Sequence, residues 1–239
     1  RIWVRWGHSG QYGTDFLVPG MAVEIVDNHT LEAYARRIVA KVERFNKEYS
    51  AVTFTEPLPE NIRPGHLIAA DEPGPDVHIS GCRMSGNRAR GLLIGSRGRV
   101  IIENNYFHIA GASILFEGDG NFWFEQSGVR DVTIRNNIFA NGNYGSRGWG
   151  SACIAVCSGI SQRQTSRYHR NIQVDGNLFR VFDPRIVNLY CVDGFQFSAS
   201  NRIVRTSDYP ATFDPKLHFV FDQCDHIEIP RQIEMAEQR

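Results

Sequence analysis

At 239 residues, with 26 basic and 26 acidic side chains and a formal net charge of zero, the chain is long enough for one or two domains with a buried core. The charge balance excludes bulk electrostatic attraction to nucleic acid or an anionic membrane, and no apolar run reaches the roughly 18 residues of a membrane span. Five cysteines, at 82, 153, 157, 191 and 224, show no zinc-site spacing and read as buried free thiols.

The first 24 residues read as irregular and strand-like, with Trp3, Trp6 and Tyr12 outward. Thr30–Tyr49 reads as a helix: Thr30 can cap it, Glu32 lies in its first turn, and Leu31, Ala35, Ile38, Val42 and Phe45 follow helical spacing. Strands around AYARRIVAKV are the alternative. Val52–Phe54 begins a strand, and prolines 57, 59 and 64 mark a connector, so residues 1–66 form a mixed strand and helix segment. The chain begins at Arg1 without a signal peptide and reads as a processed chain or a fragment, with a secreted, periplasmic or cell-surface location expected.

From Leu67 a repeat governs the pattern. RVIIENNYF, RDVTIRNNIF and RNIQVDGNLF each set alternating apolar residues before a turn-forming Asn, with a Phe two positions after it. Short strands ending in Asn and recurring after one long circuit signify a parallel β-helix. VHISGCRM is the first rung, with Cys82 in the place of Asn105 and Met84 in that of Phe107. Gly91–Ile94 and Ile114–Phe116 are further strands, residues 195–204 another circuit, and residues 218–220 and 226–229 the last. Ile102, Ile134 and Val174 should point inward with Phe107, Phe139 and Phe179, while Asn105, Asn137 and Asn177 stack at a turn. The fold class is therefore all-β: a right-handed single-stranded parallel β-helix over 67–230, a smaller mixed N-terminal segment, and a charged tail at 231–239 that caps the coil or frays. Unequal circuit lengths must leave as loops, which commonly build the binding face.

The segment FEGDGNFWFEQSG carries Glu117, Asp119 and Glu125 around Trp123 and Asn121. Carboxyl groups beside an aromatic face and an amide suit a sugar, since the ring stacks on its C–H side and the amide meets its hydroxyls. Glycosidic cleavage needs one protonated and one ionised carboxyl group; surface acids in a turn are the simpler alternative. Asn87, Arg88 and Arg90 form a tight turn that could clamp hydroxyls or pair with an acid, and Arg97 lies between two glycines. The five arginines at 83, 88, 90, 97 and 99 read as a solvated face or a polar sugar site rather than a nucleic-acid surface. Asn143, with Tyr144 and Trp149, lies in a long excursion suited to a sugar subsite or to packing on itself. Asp71, Asp183 and Asp193 are reserve acids. His66, His78 and His108 lack ligand spacing, and His78 reads as half-buried scaffold. No cofactor or metal is implied.

The run SGNRARGLLIGSRGRVIIENNYFHIAGASILFEGDGNFWFEQSGVRDVTIRNNIFANGNYG closely resembles glycoside hydrolase family 110, as do FTEPLPENIRPGHLI and NLFRVFDPRIVNLYCVDG. The resemblance covers roughly residues 50–210. It implies a bacterial exo-acting α-galactosidase on a right-handed parallel β-helix. Such an enzyme removes terminal α-1,3-linked galactose with inversion, from blood-group B trisaccharide or from linear epitopes. Partners are then galactose-bearing oligosaccharides, with no nucleic acid or membrane span and a homodimer left open. The acidic cleft of the family matches Glu117, Asp119 and Glu125, with Arg88, Arg90 and Trp123 around them. The reading takes Glu125 as general acid and Glu117 or Asp119 as base. Family members are longer, so earlier coils or a barrel-like module are expected beyond this chain. A β-helix polysaccharide lyase and a non-catalytic glycan-binding β-helix are the competing readings.

Overall fold

The chain is described by a computed structural model at residues 1–5, 15–72, 74–120, 124, 128–145, 151–210 and 219–237. It divides into two compact units. The first joins Arg1–Pro73 with Gly118–Ser127 and Gly159–Ser166; the second joins Gly74–Glu117, Gly128–Ser158 and Arg167–Arg239.

The first unit is built on β1 (Ile2–Arg5), β2 (Ala22–Val26), β3 (Ala33–Arg44), β4 (Tyr49–Phe54) and β5 (Leu67–Ala70), an antiparallel sheet in the order β1-β4-β3-β2-β5. Leu17, Val23, Val39, Val52 and Phe54 form its core. Two expectations are corrected here. Thr30–Tyr49 is not a helix: Asp27 Oδ1 accepts the His29 and Thr30 N–H groups at 2.7 and 3.1 Å, and Leu31 has φ 56°, so the chain turns where a helix would start. β3 then pairs with β2 on one edge and β4 on the other. Over a short stretch rich in Ile, Val and Ala the two apolar periods look alike, and pairing on both edges decides for the strand. Leu67 does not open the circuits, because Leu67–Ala70 pairs antiparallel with Val23–Val26.

Two excursions belong to this unit. His29 Nδ1 lies 2.8 Å from Ser161 Oγ, the Ser161 and Gln162 N–H groups donate to the His29 carbonyl at 3.1 Å, and Ser166 Oγ donates to Thr30 O at 2.7 Å. Gly120 is held so closely that an added Cβ would lie 2.4 Å from Leu67 Cδ1 and 2.6 Å from Leu31 Cδ2. The turn at residues 27–31 thus anchors both segments.

The second unit is a parallel β-helix whose rungs run β6 (Val77–Ser80), β7 (Arg83–Ser85), β8 (Leu92–Ile94); β9 (Arg99–Glu103), β10 (Tyr106–His108), β11 (Ile114–Gly118); β12 (Asp131–Arg135), β13 (Ile138–Ala140), β14 (Ile154–Ser158); β15 (His169–Asp175), β16 (Leu178–Val181), β17 (Val187–Tyr190); β18 (Val192–Phe197), β19 (Arg202–Arg205), β20 (Phe219–Asp222); then β21 (Asp225–Glu228) and β22 (Met235–Glu237). The first strands of all rungs stack as one sheet, the second strands as another and the third strands as another. The charged tail therefore carries a strand, with Ile203 opposite Met235.

Ile102, Ile134, Phe107, Phe139 and Phe179 are all buried at 0–1 % exposure with Val174. Phe139 stacks on Phe107 at 5.2 Å and on Phe179 at 4.6 Å, nearly parallel to both. Beside them the asparagine ladder forms: Asn105 Nδ2 donates to Asn137 Oδ1, Asn137 Nδ2 to Asn177 Oδ1 and Asn177 Nδ2 to Asn201 Oδ1, each at 3.0 Å. Asn201 extends it beyond the three expected members. At the other end Cys82 has no amide to contribute, and its N–H donates to Asn105 Oδ1 at 2.9 Å. His78, expected half-buried, is exposed and bonds Glu103 Oε1 at 2.8 Å. None of the five cysteines forms a disulfide.

Candidate functional site

Glu117 ends the apolar run of β11, and strand alternation decides where it points. Ile114 and Phe116 are fully buried, so Glu117 stands on the outer face of the third sheet, half-exposed. One strand over, the Cys157 thiol donates to Glu117 Oε1 at 3.7 Å. Ala112, Leu115 and Ala155 make a buried apolar cluster against which Cys157 packs. Val156 pairs with Leu189 and Tyr190 with Asp222, so Glu117, Cys157, Tyr190 and Asp222 occupy one outward column over four rungs. Tyr190 and Asp222 carried no sequence signal of their own; only the register of the coil aligns them with Glu117.

The sequence-predicted residues fall at two ends of this sheet. Asp119 follows β11, is half-buried, and lies next to the closely held Gly120 in the first unit. Arg97 sits in the β8–β9 corner at the same end, where Ser96 Oγ donates to Pro75 O at 2.6 Å and accepts the Gly98 N–H at 3.2 Å. Asn87, Arg88 and Arg90 lie at the opposite end, in the β7–β8 turn that Asn87 closes by donating to Arg90 O at 3.2 Å. Leu92 is level with Ile114, so at about 3.3 Å per residue those arginines start more than about 10 Å along the strand from Glu117. The turn does not bracket that carboxylate, because a tight turn before a strand and an acid after it are separated by the strand itself. Glu125, Trp123, Asn121 and Trp149 lie outside the described residues.

Asn143 also sits at the arginine end, but it is buried at 6 % exposure with φ 62°. With its amide oxygen and nitrogen exchanged, its Nδ2 donates to the Ala152 and Gly111 carbonyls at 3.2 and 3.3 Å and its Oδ1 accepts the Cys153 N–H at 3.2 Å. It ties the excursion to the coil rather than facing solvent. Asp183 is buried as well: its Oδ1 accepts from Arg185 Nε and N at 3.2 and 3.3 Å, while Oδ2 has no partner among the described residues. Burial, with the negative Asp183 nearby, pushes the Cys153 thiol up to about 12. Asp193 bonds His226 Nδ1 at 2.6 Å on the first sheet, and Asp71 pairs with Arg36 in the antiparallel unit.

A buried Ser–His pair invites a nucleophile reading that its chemistry excludes. Ser158 Oγ lies 2.8 Å from His169 Nε2, but the Val129 N–H donates to His169 Nδ1 at 3.3 Å. Nδ1 is therefore unprotonated and Nε2–H donates to the serine, the reverse of a general base. Burial holds His169 down at about 3. Among the described residues no group of three or more His, Cys, Asp or Glu side chains is placed to hold a metal ion.

Residues 1–68 match the GLAA-B beta-barrel domain II family. The chain is 38 % identical over 204 residues to alpha-1,3-galactosidase A of Shewanella woodyi, covering 85 % of this chain and 33 % of that protein. It is 33 % identical over 231 residues to alpha-1,3-galactosidase B of Bacteroides thetaiotaomicron, covering 96 % and 37 %. Against alpha-1,3-galactosidase B of Akkermansia muciniphila it is 28 % identical over 228 residues, covering 94 % and 28 %. The chain is thus related in sequence to bacterial α-1,3-galactosidases and spans about a third of the length of these relatives.

Proposed function

We propose that this chain is part of an inverting exo-glycosidase that hydrolyses terminal α-1,3-linked galactose from glycans. The observation that carries the reading is its similarity to α-1,3-galactosidases over 85–96 % of its own length. Glu117, Asp119 and Glu125, close together in the sequence, are assigned the carboxyl chemistry. In the proposed reaction Glu125 protonates the leaving glycosidic oxygen. Glu117 or Asp119 takes a proton from water, whose oxygen attacks the anomeric carbon from the opposite face. That geometry needs roughly 6.5–9.5 Å between the two carboxyl groups. Arg97 is assigned to sugar hydroxyls, and Trp123 and Asn121 to stacking and hydrogen bonding.

The test is to incubate the chain with α-1,3-, α-1,4- and α-1,6-linked digalactosides and follow the products by proton NMR. Galactose from the α-1,3 compound, with the β-anomer appearing first, is the expected result. The same assay on the whole protein that contains this chain decides: no galactose from the folded protein, or the α-anomer first, overturns the proposal.

A further inference from the structure

The first sheet, formed by β6, β9, β12, β15, β18 and β21, carries a groove on its outer face lined by Thr133, Arg135, Gln173, Asp175, Gln196 and Glu228, with Ser198, Ala199 and Ile229 along its rim. Strand register builds it. Thr133 pairs with Gln173, Gln173 with Gln196 and Gln196 with Glu228, so a hydroxyl, two amides and a carboxylate stand in one file along the stacking axis. Arg135 and Asp175 pair in a second file beside it. Three strand spacings of about 4.8 Å make the first file roughly 14 Å long.

We propose that this groove is a second carbohydrate site, which binds a neutral hexose oligosaccharide laid along the axis of the coil. The chemistry selects the ligand. Amides offer a donor and an acceptor side by side, which matches neighbouring sugar hydroxyls, and Arg135 adds a donor fork. Asp175 is kept ionised by Ser200 Oγ at 2.5 Å, with Ser198 and Arg135 also favouring its charge, and so remains an acceptor. The exposed Ile229 gives an apolar edge for C–H groups. Arg135 is already bonded to Glu103 Oε2 at 2.6 Å, so Asp175 and Glu228 leave the groove net negative and hostile to uronates or sulfated chains. A cation is disfavoured because Asp175 and Glu228 stand on strands two places apart, roughly 10 Å, too far to share one ion. An added peptide strand is disfavoured over most of the groove because the backbone of β12, β15 and β18 is already paired on both sides, and β21 alone is an edge strand.

The inference does not depend on the hydrolase reading, because its readout is binding. The chain is titrated with cellotetraose, β-1,4-galactotetraose and tetragalacturonate while the side-chain amides of Gln173 and Gln196 are followed by proton–nitrogen NMR. Saturable shifts of both amides with at least one neutral tetrasaccharide, at a Kd of order 1 mM, are expected, with none from tetragalacturonate. Gln173→Ala and Thr133→Ala should each weaken binding about tenfold, with near-ultraviolet circular dichroism and galactose release from the α-1,3 digalactoside unchanged. Absence of shifts from either neutral tetrasaccharide at about 10 mM overturns the proposal, as does tetragalacturonate binding equally well.

Discussion

At the scale of single residues, the asparagine ladder was legible because the repeat that announces it is local, three strands each ending in the same residue type. What could not be read was the exchange it performs. Asn137 Oδ1 accepts both the N–H and the Nδ2 of Asn105, and its own Nδ2 also donates to Ile102 O at 2.9 Å. Removing that amide leaves several buried groups without partners, each costing about 1–3 kcal/mol. Asn137→Ala should therefore lower stability by roughly 2–6 kcal/mol in urea unfolding, whereas exposed Asn87→Ala should stay within about 1 kcal/mol. Burial of Asn143 and Asp183 was not legible, since it depends on how excursions of unequal length return to the coil. His169 was equally hidden, and it makes stability depend on pH. Its folded-state value is depressed to about 3 from an ordinary 6.5, so between those limits the unfolded chain binds the proton and the folded chain does not. Stability should fall as pH drops from about 6.5 toward 3, beyond what the carboxylates contribute near the bottom of that range. Urea midpoints across the range measure the slope, and an imidazole NMR signal of His169 that titrates near 6.5 in the folded protein would contradict it.

At the scale of elements, the coil strands were read well and the N-terminal one was not, for one physical reason. In the coil, inward and outward positions alternate strictly and repeat from rung to rung, so each strand confirms its neighbours. Ala33–Arg44 has no such echo, and its identity as a strand lies in β2 and β4, which flank it from different stretches of sequence. The stacked rings show what the repeated strands are for. Phe139 sits between Phe107 and Phe179, with no room for the chain to collapse without disturbing both contacts. Phe139→Ala should cost about 3–5 kcal/mol by denaturant unfolding. Phe139→Leu, which retains part of the volume, should cost less. The tail makes the complementary case. Its charge suggested a cap or a frayed end, yet Val204 pairs with Ala236 and Ile203 with Met235. Deleting residues 231–239 should lower the urea midpoint and raise amide exchange in Arg202–Arg205, whose edge the deletion uncovers.

At the scale of the whole molecule, a stacked coil turns distant sequence positions into columns, and the functional reading rests on which column holds the chemistry. The sequence indicated Glu117 through its acidic neighbourhood, while its alignment with Cys157, Tyr190 and Asp222 emerges only from rung register. Gly120, just after β11, and the 159–166 excursion after β14 both meet the turn at residues 27–31, so the backbone next to Asp119 is held by residues far from it in sequence. Glu117→Gln separates catalysis from architecture at this site. The side chain is half-exposed and its described contact is a single weak thiol donor, so the substitution should change stability by no more than about 0.5 kcal/mol. If Glu117 is the base of an inverting reaction, galactose release should fall roughly 10²–10⁴-fold with little change in KM. Cys157→Ala should leave most of the activity, because a thiol at 3.7 Å orients the carboxylate without sharing its proton. Release unchanged in Glu117→Gln but lost in Asp119→Asn would move the base two residues onward. Release unchanged in both variants and in Glu125→Gln would remove the 117–125 segment from the reaction altogether.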